Sequence, residues 1–156
     1  MIPSPLRLDK YFFSKIHVDI QEETPTGAGR GELTTKCNFM WHKDDPARWI
    51  VVLDVVQSKG AEKGGPDYNI DIQIAGFFTV EKEYPQDKAS QMVRANGPAL
   101  LYGAVREMVT LLTSRGPFDP VQLPSVTFVD ESRSATDNPS ASKPKPRKRA
   151  PTRKSK

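Results

Sequence analysis

The chain has 156 residues, 37% hydrophobic and 27% charged, which gives room for one core with a polar appendage. No apolar run approaches the roughly 18 residues of a membrane span, and the N-terminal "MIPSPLRLDK" carries neither the apolar stretch nor the cleavage site of a signal peptide. The formal net charge of +4 hides a split, because eight of the 23 basic residues and no acidic one fall in 143–156, leaving 15 basic against 19 acidic before them, a net of −4. A cytoplasmic protein without membrane insertion is expected, mildly acidic in its folded part and strongly basic at its end.

Residues 6–21, "LRLDKYFFSKIHVDIQ", read as a first strand. Leu6, Leu8, Phe12, Ser14, Ile16, Val18 and Ile20 share one parity and are mostly apolar, while Lys15, His17 and Asp19 point the other way and predict a wet face. Residues 22–31 carry Pro25 and three glycines and read as a loop. Two extended runs follow within 32–58, joined at "HKDDP". Leu33, Thr35, Cys37, Phe39 and Trp41 alternate on the first, and Trp49, Val51, Leu53 and Val55 on the second. Aspartate and proline favour turn dihedrals, so the pair reads as a hairpin. A second loop spans 59–67, and "YNIDIQIAGFFTVEKE" is a fourth strand with Ile70, Ile72, Ile74 and Phe78 on one face. Gly76 inside it marks a bulge or a close backbone approach. Four strands without intervening helices predict an antiparallel sheet.

The period then changes. In "NGPALLYGAVREMVTLLTSRG", residues 96–116, Leu101, Val105, Met108, Val109 and Leu112 recur at three- and four-residue spacing. The reading is a helix capped by Asn96, with Pro98 in its first turn, Gly116 just past its end and Pro117 forbidding continuation. Leu101, Val105, Met108 and Leu112 are expected to cover the sheet. Leu100, Tyr102, Val109 and Leu111 widen the stripe and are expected at an oligomer contact. The fold class is therefore α+β, a four-stranded antiparallel sheet packed with one main helix.

Residues 132–156 contain no Leu, Ile, Val, Phe, Tyr or Trp and read as a disordered basic tail after a domain of residues 1–131. Eight cations can release counterions from phosphates, but no aromatic residue interleaves with them, so base stacking has no platform. The tail reads as a solubilising extension or a weak nucleic-acid contact. Elsewhere there is no Gly-rich phosphate loop and no histidine–carboxylate set at metal spacing. His17 and His42 read as solvated side chains, and Cys37, the only cysteine, as a small core filler. Ser114, Arg115 and Glu107 form no credible catalytic trio. A non-enzymatic protein without cofactor or metal is expected.

Residues 100–128, "LLYGAVREMVTLLTSRGPFDPVQLPSVTF", resemble the helix and following loop of the SecB family of protein-export chaperones. Arg106–Glu107, the spacer, Ser114–Arg115–Gly116, Phe118, and Leu123–Pro124 through Val126–Phe128 match that family's pattern without a gap. "YFFSKIHVDI" is similar to its first strand and "IQIAGFFTV" to its fourth. The resemblance implies a homotetramer, a dimer of dimers, with a groove for unfolded client polypeptide. Carried onto this sequence, it puts Phe118, Val121, Leu123, Val126 and Phe128 in the groove wall. Core cover is the competing role for the same residues, since alternate side chains of an extended segment face opposite ways. The family's second helix and acidic C-terminal end have no counterpart from Ser132 onward, so the resemblance does not extend to contact with the export motor ATPase. The client implied is a preprotein or, as in SecB-like proteins beside toxin–antitoxin pairs, an antitoxin. The alternative is a non-catalytic adaptor tethered to nucleic acid or another polyanion through the tail.

Overall fold

The computed structural model describes residues 3–20, 31–58 and 67–128. Both expected loops fall largely outside these residues, and the tail falls outside them entirely. Strands β1 (Leu6–Ile20), β2 (Glu32–His42), β3 (Asp45–Ser58) and β4 (Tyr68–Val80) precede one helix, α1 (Gln86–Thr113). The strands form one antiparallel sheet in the order β1-β4-β3-β2, with α1 packed on one face.

Alternation is clean on the central strands. Trp49, Val51, Leu53 and Val55 of β3 and Ile70, Ile72, Ile74 and Phe78 of β4 are buried beneath the helix. Each such side chain contributes about 1.5–3 kcal/mol when fully buried. The β2–β3 hairpin turns at Lys43–Asp44, with a register shift between Trp41 and His42. Gly76 keeps regular pairing with both neighbours, so it marks a close approach rather than a bulge. A Cβ there would lie 2.7 Å from Leu101 Cδ2 on α1.

Strand β1 departs from the expected parity. Register shifts between Leu8 and Lys10 and between Phe13 and Lys15 each change the phase. Tyr11 and Phe13 therefore join Leu6, Leu8, Ile16, Val18 and Ile20 on the helix side, opposite the buried residues of β4. Phe12 is turned to the outer face, where its ring lies 6.2 Å from that of Phe77.

The helix starts ten residues before the expected cap. Pro85 holds the N-cap position, and Asn96 lies inside α1 with its amide donating to the Met92 carbonyl at 3.1 Å. Pro98 is interior and buried, so the Arg94 carbonyl loses its usual donor. Burial continues through it because Ala89, Val93, Gly97, Leu101, Val105, Val109 and Thr113 recur at intervals of four. A helix has 3.6 residues per turn, so this stripe drifts by about 40° per step and winds around α1. Tyr102 and Val109 are buried in it, whereas Met108 is half-buried and Leu112 is 37% exposed. The C-terminal half of α1 thus presents apolar surface that the sheet does not cover.

Candidate functional site

Residues 117–128 fold back over a neighbouring stripe of this half, Tyr102, Arg106, Thr110 and Thr113, and leave Leu111 and Leu112 exposed. Helix α1 ends in a tight turn in which Arg115 and Gly116 donate to the carbonyls of Leu112 and Thr113 at 3.2 and 3.0 Å. The Tyr68 hydroxyl occupies the turn, donating to the Thr113 carbonyl at 3.3 Å and accepting from the Phe118 amide at 3.2 Å. A Cβ at Gly116 would come within 2.1 Å of that hydroxyl, which excludes any larger residue without displacement.

The segment then runs back along α1 without secondary structure of its own, because Pro117, Pro120 and Pro124 deny it amide donors. Four of its backbone groups bond to one stripe of the helix. Thr113 Oγ1 accepts from the Val121 amide at 2.9 Å and donates to the Val109 carbonyl at 2.8 Å. The Thr110 hydroxyl lies 3.2 Å from the Val121 carbonyl and 3.0 Å from that of Arg106, its single proton serving one at a time. Arg106 Nε donates to the Leu123 carbonyl at 3.1 Å, and the Tyr102 hydroxyl to that of Pro124 at 2.7 Å. Burial pushes the Tyr102 hydroxyl above the ordinary tyrosine value, an effect that the Arg106 charge opposes. This stripe was not singled out by its apolar pattern. Hydrogen-bonding side chains at 102, 106, 110 and 113, at helical spacing, were its signal.

The expected groove residues divide by burial. Leu123 is 1% exposed and Phe128 is 6% exposed, both within the protomer's core, with the Phe128 ring 6.0 Å from that of Tyr102. Phe118, Val121 and Val126 are half-buried at its margin. The Phe118 ring meets that of Tyr68 edge-on at 5.8 Å. Of the residues expected at an oligomer contact, Leu100 and Leu111 lie exposed, while Tyr102 and Val109 are buried within the protomer. Leu111 borders a shallow cavity of about 640 Å³ shared with Gly103, Arg106, Glu107 and Gln122.

A second apolar surface lies on β1. Tyr11, Ile16 and Ile20 face the helix side but are 47%, 46% and 50% exposed, because α1 contacts this edge strand less than it does β3 and β4. Ile20 pairs with Tyr68, and the buried Tyr68 packs on Phe118, which links the strip to the start of the docked segment. Its exposure depends on where the helix lies, which the strand's own pattern does not encode. His17 and His42 are both exposed; His17 Nε2 pairs with Asp19 at 2.6 Å, and His42 Nδ1 accepts from the Asp44 amide at 3.3 Å. Cys37 is half-buried. Among the described residues no group of three or more His, Cys, Asp or Glu is disposed to hold a metal ion, and no helix is long and apolar enough to cross a membrane.

A four-stranded antiparallel sheet, one long helix and a proline-rich segment strapped along it define an α+β scaffold that leaves apolar side chains exposed on β1 and α1. The chain belongs to the SecB family: residues 29–133 match that family, described as preprotein translocase subunit SecB. It is 31% identical over 117 residues to the protein-export protein SecB of Psychrobacter arcticus, covering 70% of this chain and 76% of that protein. The same identity over the same length holds for SecB of Psychrobacter cryohalolentis, of which 75% is covered. An uncharacterized protein of Methanocaldococcus jannaschii is 24% identical over 86 residues, 55% of each chain, so this chain spans about half the length of that relative. Among solved structures, a SecB-like chaperone of Mycobacterium tuberculosis, in complex with a ChAD peptide from the HigA1 antitoxin, shares the fold with a TM-score of 0.53. It is 18% identical, and the match covers 78% of this chain and 90% of that one. Membership places the chain in a family of chaperones rather than enzymes.

Proposed function

We propose that this chain is an ATP-independent holdase that binds unfolded or extended apolar polypeptide segments. The observation that carries this reading is the uncovered strip of Tyr11, Ile16 and Ile20, linked to Phe118 through the buried ring of Tyr68. In this reading Phe118, Val121 and Val126 touch the client at the strip's end, while Leu123 and Phe128 anchor the segment that presents them. If each buried client side chain contributes ~1.5–3 kcal/mol, a few contacts outweigh association costs and reach roughly micromolar affinity.

Oligomerisation supplies the rest. Strand β1 is an edge of 15 residues with one side of its backbone unpaired among the described residues, and Leu100 and Leu111 stand exposed on α1. Long unpaired edges and exposed leucines are hazards unless covered by another copy. A homotetramer, built as a dimer of dimers in the cytoplasm, would cover both and tighten the grip on a long client through avidity. The export role of the Psychrobacter relatives and the antitoxin peptide of the Mycobacterium tuberculosis relative support a preprotein or an antitoxin as client.

The test is suppression of aggregation of a denatured client by Ile16→Asp combined with Phe118→Asp. Suppression should fall at least tenfold while the circular dichroism spectrum is unchanged; full retention overturns the reading. Deleting residues 132–156 should leave suppression intact. Its loss would favour the adaptor reading of the basic tail.

A further inference from the structure

The sheet face turned away from α1 differs at its two ends. At one end its polar groups satisfy one another: Lys15 pairs with Asp71, and the Gln73 amide donates to Asp54 at 2.7 Å. At the other end the register sets Arg7, Thr79 and Arg48 side by side, with Lys10, Phe77, Ile50 and Met40 in the next outward-facing row. Phe12, Phe77 and Met40 are 45%, 37% and 48% exposed there. A cavity of about 440 Å³ opens over this end, with Arg7, Asp9, Thr79, Arg48, Ile50 and Phe77 in its lining.

We propose that this bowl is a second binding site, for a partner protein's peptide segment that sets a carboxylate beside a large apolar side chain. The polar contacts around it decide the sign of the ligand. Asp9 has both carboxyl oxygens occupied, Oδ1 by Arg7 Nε at 2.6 Å and Oδ2 by the Thr79 hydroxyl at 2.5 Å. The Thr79 and Arg7 hydrogen bonds hold its carboxyl below the usual carboxylate range, so it stays charged and engaged. Arg48 Nε is held by Asp45 at 3.1 Å. Each arginine is therefore oriented through Nε, yet their side chains remain 74% and 72% exposed. A guanidinium carries five N–H donors, and its terminal pair matches a carboxylate bidentately. Lys10 adds a third cation on the same face. An incoming carboxylate would meet the arginine row, and its apolar neighbour would lie on Phe77 and Ile50 in the cavity lining.

Charge complementarity also excludes other occupants. The basic residues of 143–156 have the wrong sign to dock here. A bare phosphate chain would gain nothing from the phenylalanines, and a single-stranded nucleic acid, whose bases can stack on them, is tested directly by titration. The site lies on the opposite face of the sheet from the surface proposed for clients, so the two assignments stand or fall separately.

The experiment is a two-dimensional amide NMR titration of the full chain with acetyl-Glu-Phe-Glu-amide. Parallel titrations use its Gln-Phe-Gln and Glu-Ser-Glu counterparts and a short single-stranded oligonucleotide. Saturable shifts at Phe77, Thr79 and Ile50 are expected, with each counterpart peptide at least tenfold weaker. The variant Arg7→Gln/Arg48→Gln should weaken binding by a similar factor, and the peptide comparison holds even where that variant is perturbed. Absence of saturable shifts, equal binding of the peptides, shifts centred on Phe118 to Phe128, or tighter binding of the oligonucleotide at the same amides overturns the proposal.

Discussion

The Tyr102 hydroxyl donates to the Pro124 carbonyl at 2.7 Å, and this bond ties the middle of α1 to the segment that folds back over it. Tyr102→Phe keeps the ring against Phe128 and removes only the donor, so it should cost about 0.5–1.5 kcal/mol in chemical denaturation. The same hydroxyl predicts an alkaline limit. Burial raises its folded value above the ordinary 10.0, so between the two values the folded chain holds a proton that the unfolded chain has lost. Its contribution is therefore complete below pH 10 and is lost as pH rises through the folded value. Denaturation curves above pH 10 should show this loss in the parent chain and lack it in Tyr102→Phe.

Gly116→Ala places a methyl within 2.1 Å of the Tyr68 hydroxyl. The clash must push that hydroxyl away from the Thr113 carbonyl and the Phe118 amide, loosening the turn that aims the docked segment. A loss of about 1–3 kcal/mol is expected, the usual range for overpacking. Faster hydrogen exchange at the Phe118 amide should accompany it. Combining it with Tyr68→Phe should cost less than the sum of the two single changes, because the second removes the clashing oxygen. Additive costs would place the strain elsewhere.

Much of this architecture is legible along the chain, and the parts that are not share a cause. The β2–β3 hairpin and the buried faces of β3 and β4 follow from strict alternation around Asp44–Asp45–Pro46. On β1 strict alternation puts Phe12 on the wrong face, since a bulge is one unpaired residue set by the partner strand and leaves no mark in hydropathy. Pro98 looked like a helix start because proline suits a first turn. Residues 86–95 are nevertheless good helix formers, and Ala89 and Val93 extend the four-residue stripe backwards past it. Burial of the Pro98 ring offsets its missing donor. For the docked segment, apolar spacing could not separate Leu123 from Val126. Which of them faces the core depends on carbonyls held by Arg106 and Tyr102, a tertiary relationship.

Gly76→Ala tests how closely α1 approaches the sheet. The added methyl would meet Leu101 Cδ2 at 2.7 Å and Phe78 Cε2 at 2.8 Å, both at the ends of side chains. The far end of a leucine can turn aside, so a cost of about 1–3 kcal/mol without loss of fold is expected. Leu101→Ala alone opens a cavity and should cost about 2–5 kcal/mol. Because the new methyl fills part of that space, the double variant should be more stable than the summed costs predict, as read by thermal or urea unfolding. Strict additivity would mean that helix and strand do not touch at this point.

Leu123 and Val126 belong to one short segment but should answer differently to substitution. Leu123 is 1% exposed in the core, and Val126 is half-buried at its edge. Leu123→Ala should cost about 2–5 kcal/mol, the range for truncating a buried leucine, and Leu123→Asp should abolish folding by burying an unpaired charge. Val126→Asp can hold its carboxylate in water, so the fold should survive with a small loss. If Val126 meets the client, as proposed, aggregation suppression should fall with it even though unfolding is little changed. Measuring both quantities on both variants separates anchoring from contact. Unchanged suppression by Val126→Asp would move the client surface off the segment and leave it to the β1 strip of Tyr11, Ile16 and Ile20 alone.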